Sequence, residues 1–301
     1  MHVFVTGASG WIGSHTVDDL LAAGHTVSGI ARSDSSSAAL AAKGVTVLRG
    51  DLDDLDTIRR GAADSDGVLH LANKHDWGNP TATNATERAA VETIGEALVG
   101  TDRPFVVASG VAGLAQGRPA TEQDPNPFVG PDSMRGGSEN RALDFVDQGV
   151  RSIAARFSPT THGTGDHGFI AAIVAAARER GVSGYVGDGT NTWAAVHVTD
   201  AARLVRLGLE QAPAGTKLHA VAETAIPTRA IAEAVGEGLG LPVTSVDPAD
   251  AEEHFGFIGR FFAMEMSATS EGTRELLGWE PTGPRLLEDV AAGAYAEAAR
   301  R

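Results

Sequence analysis

The stretch TGASGWIG (6–13) constrains this chain more than any other. It follows a β-branched run, HVFVT (2–6), and opens a segment with Ile12, Val17, Leu20 and Leu21 on one face, so a strand must turn at once into a helix. Gly7, Gly10 and Gly13 recur at three-residue spacing. The first permits a sharp turn, the second lets backbone approach a ligand, and the third lets the helix lie close to the sheet. Free N–H groups and the helix dipole then face an anion. With a strand before and a helix after, this is the spacing of a dinucleotide pyrophosphate cradle, completed by Ser9, Trp11 and Ile12. The alternative is a glycine-rich turn with no ligand.

The first half continues the alternation. Helices are expected over 11–23, closed by Gly24, and over 83–98 and 137–147. Strands are expected at TVSGI (26–30), VTVLRG (45–50), GVLHLA (67–72), FVVAS (105–109) and RSIAAR (151–156). Apolar strands without strict alternation, separated by helices, imply a parallel sheet covered on both faces: an α/β, doubly wound Rossmann fold with a smaller C-terminal substrate lobe. Beyond Arg156 the pattern loosens. Helices are expected near 168–180, 199–211, 228–239, 270–277 and 286–298, and strands at 194–198 and 216–221. We assign residues 1–160, with 191–222 returning to them, to dinucleotide binding, and 161–190 with 223–301 to substrate.

Composition narrows the function. The 301 residues carry 24 Lys+Arg against 39 Asp+Glu, a net charge of −15, which repels nucleic acid and anionic lipid. There is no cysteine, so disulfides, cysteine–zinc sites and thiol nucleophiles are excluded, and no metal site is predicted. No apolar run is long enough to span a bilayer, and strand one begins at His2, leaving no room for a leader; a cytoplasmic protein is the expectation.

The end of the second strand chooses between dinucleotides. A carboxylate there would bind the adenosine ribose and favour NAD. The sequence GIARSD (29–34) has Ala31 at that place, followed by Arg32 and Ser33. A guanidinium pairs bidentately with phosphate, so NADP is expected, with Arg32 and Ser33 on its 2′-phosphate. The alternatives are a solvated Arg32, or Asp34 moving in to bind the ribose.

TGASGWIG (6–13), with GDLDD (50–54), HLA (70–72), RFSPTTHGTGD (156–166), GDGTNTWAAVHVTDAARL (187–204) and LGWEPT (277–282), resembles the short-chain dehydrogenase/reductase superfamily. The closer likeness is to its extended and atypical branch, the NAD-dependent epimerase/dehydratases, over nearly the whole chain. The resemblance implies that Asp51 and Leu52 hold the adenine, that Leu71 and Ala72 pass beneath the ribose and pyrophosphate, and that Pro159 borders the nicotinamide. Asp51 also suits the N-cap of a helix over 53–61. His70 and His197 sit in strand-like apolar runs and read as buried, hydrogen-bonded histidines. Asp200 belongs to the segment returning to the sheet. Family members are often dimers packed through two helices of the outer layer, which implies a homodimer here.

The catalytic half departs from the family. Its chemistry rests on Tyr-x-x-x-Lys with a Ser or Thr from strand five. This chain has two tyrosines, Tyr185 and Tyr295, neither followed four residues on by Lys. Anchoring PDSMRGGSENRAL (131–143) on Glu139 places Arg135 at the lysine position and Pro131, which has no proton to give, at the tyrosine position. The serine position falls on Ser109 or Gly110. Three explanations stay open: another donor (Ser109, Ser138, His75 or His162), an ordered water, or lost catalysis. Lys74 is a cation near the nicotinamide end, or else a solvated side chain. Phe128, Tyr185, Trp193, Phe255, Phe257, Phe261, Phe262 and Met264 offer an apolar pocket or simply a core.

The leading expectation is an NADP(H)-dependent oxidoreductase acting on a hydrophobic ketone or aldehyde, or the corresponding alcohol. The competing ones are a non-catalytic NADP(H)-binding sensor or partner module, and an epimerase or dehydratase cycling bound NAD.

Overall fold

A computed structural model describes residues 1–74, 76 and 78–295. The elements run β1 (His2–Thr6), α1 (Trp11–Ala22), β2 (Thr26–Ala31), α2 (Asp34–Ala42), β3 (Thr46–Arg49), α3 (Leu55–Ala63), β4 (Gly67–His70), α4 (Pro80–Leu98), β5 (Pro104–Gly110), α5 (Ser138–Leu143) and β6 (Arg151–Phe157). They continue with β7 (Thr160–His162), α6 (Phe169–Arg180), β8 (Ser183–Val186), β9 (Thr192–His197), α7 (Val198–Gln211), β10 (Lys217–Ala220), β11 (Glu223–Pro227), α8 (Thr228–Leu239), β12 (Val243–Val246), α9 (Ala251–Phe255), α10 (Ile258–Phe262), α11 (Glu271–Leu277) and α12 (Leu286–Ala291).

Seven parallel strands form the central sheet in the order β10-β6-β5-β4-β1-β2-β3. The order reverses between β1 and β4, where an open α/β sheet leaves a crevice at its carboxyl ends. Period-two geometry sends Val3 and Val5 to one face and Phe4 to the other. Val3 and Val5 pack with Val17, Leu20, Leu204, Val205 and Trp279; Phe4 packs with Ile58, Ile94, Phe105 and Phe145. Both faces are covered, as apolar parallel strands require.

A second apolar core gathers Ile170, Trp193, Ile231, Phe255, Ile258, Phe262 and Leu286. Beside it stand a three-stranded sheet, β11-β9-β7, and a two-stranded one, β12-β8. Within 191–222, β9 pairs in the smaller sheet, whereas α7 packs on α1 and β10 edges the main sheet.

Three sequence expectations need correction. The helix expected over 137–147 is only Ser138–Leu143: Arg135, Gly136 and Gly137 ahead of it are all left-handed, with φ of 55°, 61° and 64°, and a 3₁₀ turn at Val146–Gln148 follows it. The helix expected over 286–298 ends at Ala291, and 296–298 lie outside the described residues. Strands β7, β8, β11 and β12 were not anticipated; they are three to five residues long, and β12 shows three of its four residues to solvent. A strand that short, with so little apolar pattern, leaves no period to read.

Candidate functional site

The glycine turn is dictated by contact. Gly7 has φ +72°, and a Cβ there would lie 2.7 Å from the amide nitrogen of Ala72. A Cβ on Gly13 would lie 2.0 Å from the Gly7 carbonyl oxygen. Gly10 is different: exposed, with φ −75°, it would meet only that same carbonyl, at 3.2 Å. Gly7 and Gly13 are therefore demanded by packing, whereas Gly10 leaves open space above bare backbone. Helix α1 begins there with no side-chain cap and no acidic residue in its first turn, which leaves its N–H groups for an anion. Ser9 is exposed on the turn, and Ile12 packs against the core. The backbone after β4 runs close beneath, with Leu71 N donating to Thr6 O at 3.2 Å and Ala72 N to Thr6 Oγ1 at 3.4 Å.

At the end of β2, Ala31 is buried and Arg32 is exposed, with no hydrogen bond or ion pair among the described residues. Ser33 caps α2, accepting from Ser36 N at 3.1 Å. Asp34 faces Arg49, an ion pair of 3.1 Å, and Arg49 also donates to Ser37 Oγ at 2.7 Å. Arg49 was missed in the sequence; it comes beside this site because β2 and β3 pair Ala31 with Arg49. After β3, Leu52 is buried and Asp51 is exposed, Asp51 Oδ1 accepting from Asp53 N. Asp51 is not the cap of α3; Asp54 is, accepting from Thr57 N. Lys74 is bound to Asp53 at 2.5 Å, and Thr86 donates to the same carboxylate, so Lys74 ties two loops together and is not a free cation. His75 lies outside the described residues.

Arg135 ends at a buried carboxylate that sequence reasoning did not single out. Its Nη2 lies 2.5 Å from Glu87 Oε1, Asn73 Nδ2 donates to Glu87 Oε2 at 3.0 Å, and His70 Nε2 lies 3.6 Å away. Burial pushes the Glu87 carboxyl up, but the charges of Arg135 and His70 outweigh it and hold the group at about 2. His70 Nδ1 meets Thr6 Oγ1 at 2.9 Å, and the ring is fully buried. The signal for Glu87 was present: it shares the apolar stripe of α4 with Ala90, Val91, Ile94 and Leu98.

Ser109, near the end of β5, is nearly buried and lies 3.5 Å from Asn126 Nδ2. Asn126 in turn donates to Glu139 Oε2 at 2.8 Å, and Arg156 takes Glu139 Oε1 at 2.6 Å. Burial raises the Glu139 carboxyl, but the hydrogen bond and charge of Arg156, with the Ser109 hydroxyl and Asn126, bring it below its ordinary value. Ser109 Oγ accepts from Asn126 beside this ionised carboxylate. Ser138 opens α5 one residue before Glu139 and is almost wholly buried. Pro159 is half-buried between β6 and β7.

His162 is a buried partner of Asp289, Nδ1 to Oδ2 at 2.7 Å, with His197 edge-on to it at 5.5 Å. Burial pushes His162 down despite Asp289. His197 caps α7, and Asp200 receives the N–H groups of Thr282 and Gly283, so both anchor chain.

The aromatic set divides. Trp193, Phe255 and Phe262 are core. Tyr185 faces Arg229, 5.5 Å from its ring centre to the guanidinium. Phe169, Phe257 and Phe261 form a partly open aromatic wall, centroids 6.4 and 5.1 Å from Phe169, and Met264 is exposed. Phe169 follows His167, whose ring is 6.2 Å from that of Trp11, and Ala112, two residues past β5, packs against the same cluster. Phe128 is half-buried against Gly113.

Comparison with known proteins decides the lineage. The profile of the NAD dependent epimerase/dehydratase family matches residues 3–135. An uncharacterised protein of Schizosaccharomyces pombe is 44% identical over 98% of this chain and 100% of its own. This chain belongs to the NAD-dependent epimerase/dehydratase family. A Stigmatella aurantiaca relative, 4-hydroxy-2-methyl-3-oxo-4-farnesyl-3,4-dihydroquinoline-1-oxide ketoreductase, is 26% identical over 71% of this chain and 66% of its own. The crystal structure of a dTDP-glucose 4,6-dehydratase from Streptomyces venezuelae with NAD bound superposes with a TM-score of 0.77 at 22% identity, covering 98% of this chain and 96% of that one. The fold is thus that of the extended short-chain dehydrogenase/reductases, an NAD(P)-dependent oxidoreductase fold. In this chain the glycine turn opens α1, and Arg135 lies on a left-handed turn ahead of α5. No helix among the described residues is long and apolar enough to cross a membrane.

Proposed function

We propose that this chain is an NADP(H)-dependent reductase of hydrophobic ketones or aldehydes, running in reverse on the corresponding alcohols. The observation that carries the reading is that Ala31 stands where a ribose-binding carboxylate would be expected, followed by an exposed Arg32 with no partner among the described residues. Gly7, Ser9, Gly10, Trp11, Ile12 and Gly13 would hold the pyrophosphate. Arg32 and Ser33 would hold the 2′-phosphate, Asp51 and Leu52 the adenine, and Leu71 and Ala72 the ribose. Arg135 would hold the nicotinamide ribose, with Pro159 at the ring's edge. The work divides between 1–160 with 191–222 for cofactor and 161–190 with 223–301 for substrate.

Two buried side-chain nitrogens, Arg135 Nε and His70 Nε2, have no hydrogen-bond partner among the described residues. The bound nicotinamide supplies or accepts the hydride. The chain's own groups align a carbonyl and offer it hydrogen bonds, worth more in a site that excludes water. The Ser109 hydroxyl, the Ser138 hydroxyl or a water would give the proton that converts the alkoxide to alcohol.

A hydrophobic substrate is supported by the wall of Phe169, Phe257 and Phe261. It is also supported by the cations of the second lobe. Arg229 and Arg260 are paired with Glu233 and Glu252, and Arg180 and Arg274 donate to backbone carbonyls, which leaves few to meet a sugar nucleotide's diphosphate. The test is loss of NADPH absorbance across aromatic and aliphatic ketones and aldehydes; no turnover over a broad panel contradicts the reading. The missing tyrosine favours a second reading, a dinucleotide-binding module without turnover, which tight NADPH binding and an inert panel would support. Stoichiometric NAD extracted from the purified protein would revive an epimerase or dehydratase.

A further inference from the structure

Arg135 is the one described residue before α5 that pairs an unusual backbone with a buried charge partner. A left-handed φ of 55° on a residue with a Cβ costs about 1–2 kcal/mol, and such outliers persist where surrounding contacts hold them. The contacts come from one face of α4, where Asn84, Glu87 and Arg88 stand at helical i, i+3 and i+4. A Cβ on Gly136 would lie 2.5 Å from the Asn84 carbonyl oxygen. Arg88 Nη1 donates to Gly136 O at 2.9 Å, and Arg135 Nη2 reaches Glu87 Oε1 at 2.5 Å.

Glu87 has no packing reason to be acidic. Its neighbours on the stripe are Ala90, Val91 and Ile94, and it is 1% exposed. Burying a carboxylate costs several kcal/mol before its partners repay it. Here the partners are Arg135 and Asn73, with His70 Nε2 at 3.6 Å. The carboxylate is held by Arg135 on one oxygen and Asn73 on the other and stays ionised, so it is no proton carrier. What it can do is fix a guanidinium. That guanidinium keeps Nε buried and without a partner, a donor left over for something the protein itself does not provide.

We propose that Glu87 is a positioning residue, clamped by Asn73, that holds the Arg135 guanidinium ready to hydrogen-bond the nicotinamide-side ribose. This rests on the assignment of Arg135 to that ribose, and the experiment separates the two claims. Calorimetric titration would compare NADPH with adenosine 2′,5′-bisphosphate, which shares the adenine end but lacks the nicotinamide ribose. Glu87→Gln is expected to weaken NADPH about tenfold, the size of one lost charge-assisted hydrogen bond, while the bisphosphate changes little. Glu87→Asp should recover part of the loss. Arg135→Gln should lose as much as Glu87→Gln, and the double variant should lose no more than either, because the two act as one unit. If Arg135→Gln weakens NADPH and Glu87→Gln does not, the positioning role falls alone. If Arg135→Gln has no effect, its assignment to the ribose falls and takes the proposal with it. Equal losses for both ligands would mean a general structural role and would also overturn the proposal. Should Glu87→Gln not fold, Asn73→Ala is expected to lower the NADPH-to-bisphosphate affinity ratio in the same sense, and an unchanged ratio would count against it.

Discussion

The indole N–H of Trp11 donates to the carbonyl oxygen of Thr161 at 2.7 Å, joining the glycine turn to the first strand of the second lobe. The ring also meets His15 and His167 edge-on, at 4.7 and 6.2 Å. This side chain therefore ties the glycine turn to β7. Trp11→Phe keeps most of the apolar contact and removes the donor, leaving the Thr161 carbonyl short of a partner. We expect a loss of about 1 kcal/mol, seen as a melting temperature lower by roughly 2–4 °C. An unchanged melting curve would show that the link carries no stability.

The two kinds of glycine predict opposite outcomes. Gly13→Ala forces a methyl to 2.0 Å from the Gly7 carbonyl and should cost about 3 kcal/mol or more, losing fold and binding together. Gly10→Ala meets only that carbonyl, at 3.2 Å, so the fold should survive while dinucleotide affinity falls steeply. Circular dichroism paired with an NADPH titration distinguishes them. A Gly10→Ala protein that binds normally would remove the pyrophosphate from this turn.

Charge at the end of β2 should set coenzyme choice. Arg32→Gln is expected to weaken NADPH by about one to two orders of magnitude and NADH hardly at all, as a lost phosphate–guanidinium pair does. Arg49 is held by Asp34 at 3.1 Å, so Asp34→Asn should free it and tighten NADPH. Equal NADPH and NADH losses in Arg32→Gln would refute the assignment.

Acid should destabilise the fold from just below neutrality. His162 is pushed down by burial, with Asp289 and His197 facing it. A folded pKa below the unfolded 6.5 means that the unfolded chain takes up the proton first. Stability is then full above about pH 6.5 and is lost as pH falls toward the folded value, by at most about 1.4 kcal/mol per pH unit for one proton. The lowered Glu87 and Glu139 carboxyls add losses only further down, below their unfolded 4.5. His162→Asn should flatten the slope between pH 6.5 and 5.5 in urea melts; an unchanged slope would assign it to His219 or His254, which burial also pushes down.

Much of this was legible along the chain. Strands β1 to β6 announced themselves as apolar runs such as FVVAS because both faces of the sheet bury them. The glycine turn was legible because its spacing carries its own geometry. The turn at Arg135 was not, since a left-handed arginine depends on contacts from α4, some fifty residues earlier. Arg49 was hidden for a similar reason: only strand pairing brings it to Ala31. Lys74 looked like a free cation because Asp53, its partner, lies on another loop.

The most direct test is calorimetric titration of the purified chain with NADPH and NADH. The account predicts one site per chain that takes both through the shared pyrophosphate and takes NADPH more tightly. Absence of binding by either coenzyme would contradict it at its root, and tighter NADH binding would contradict the role given to Arg32.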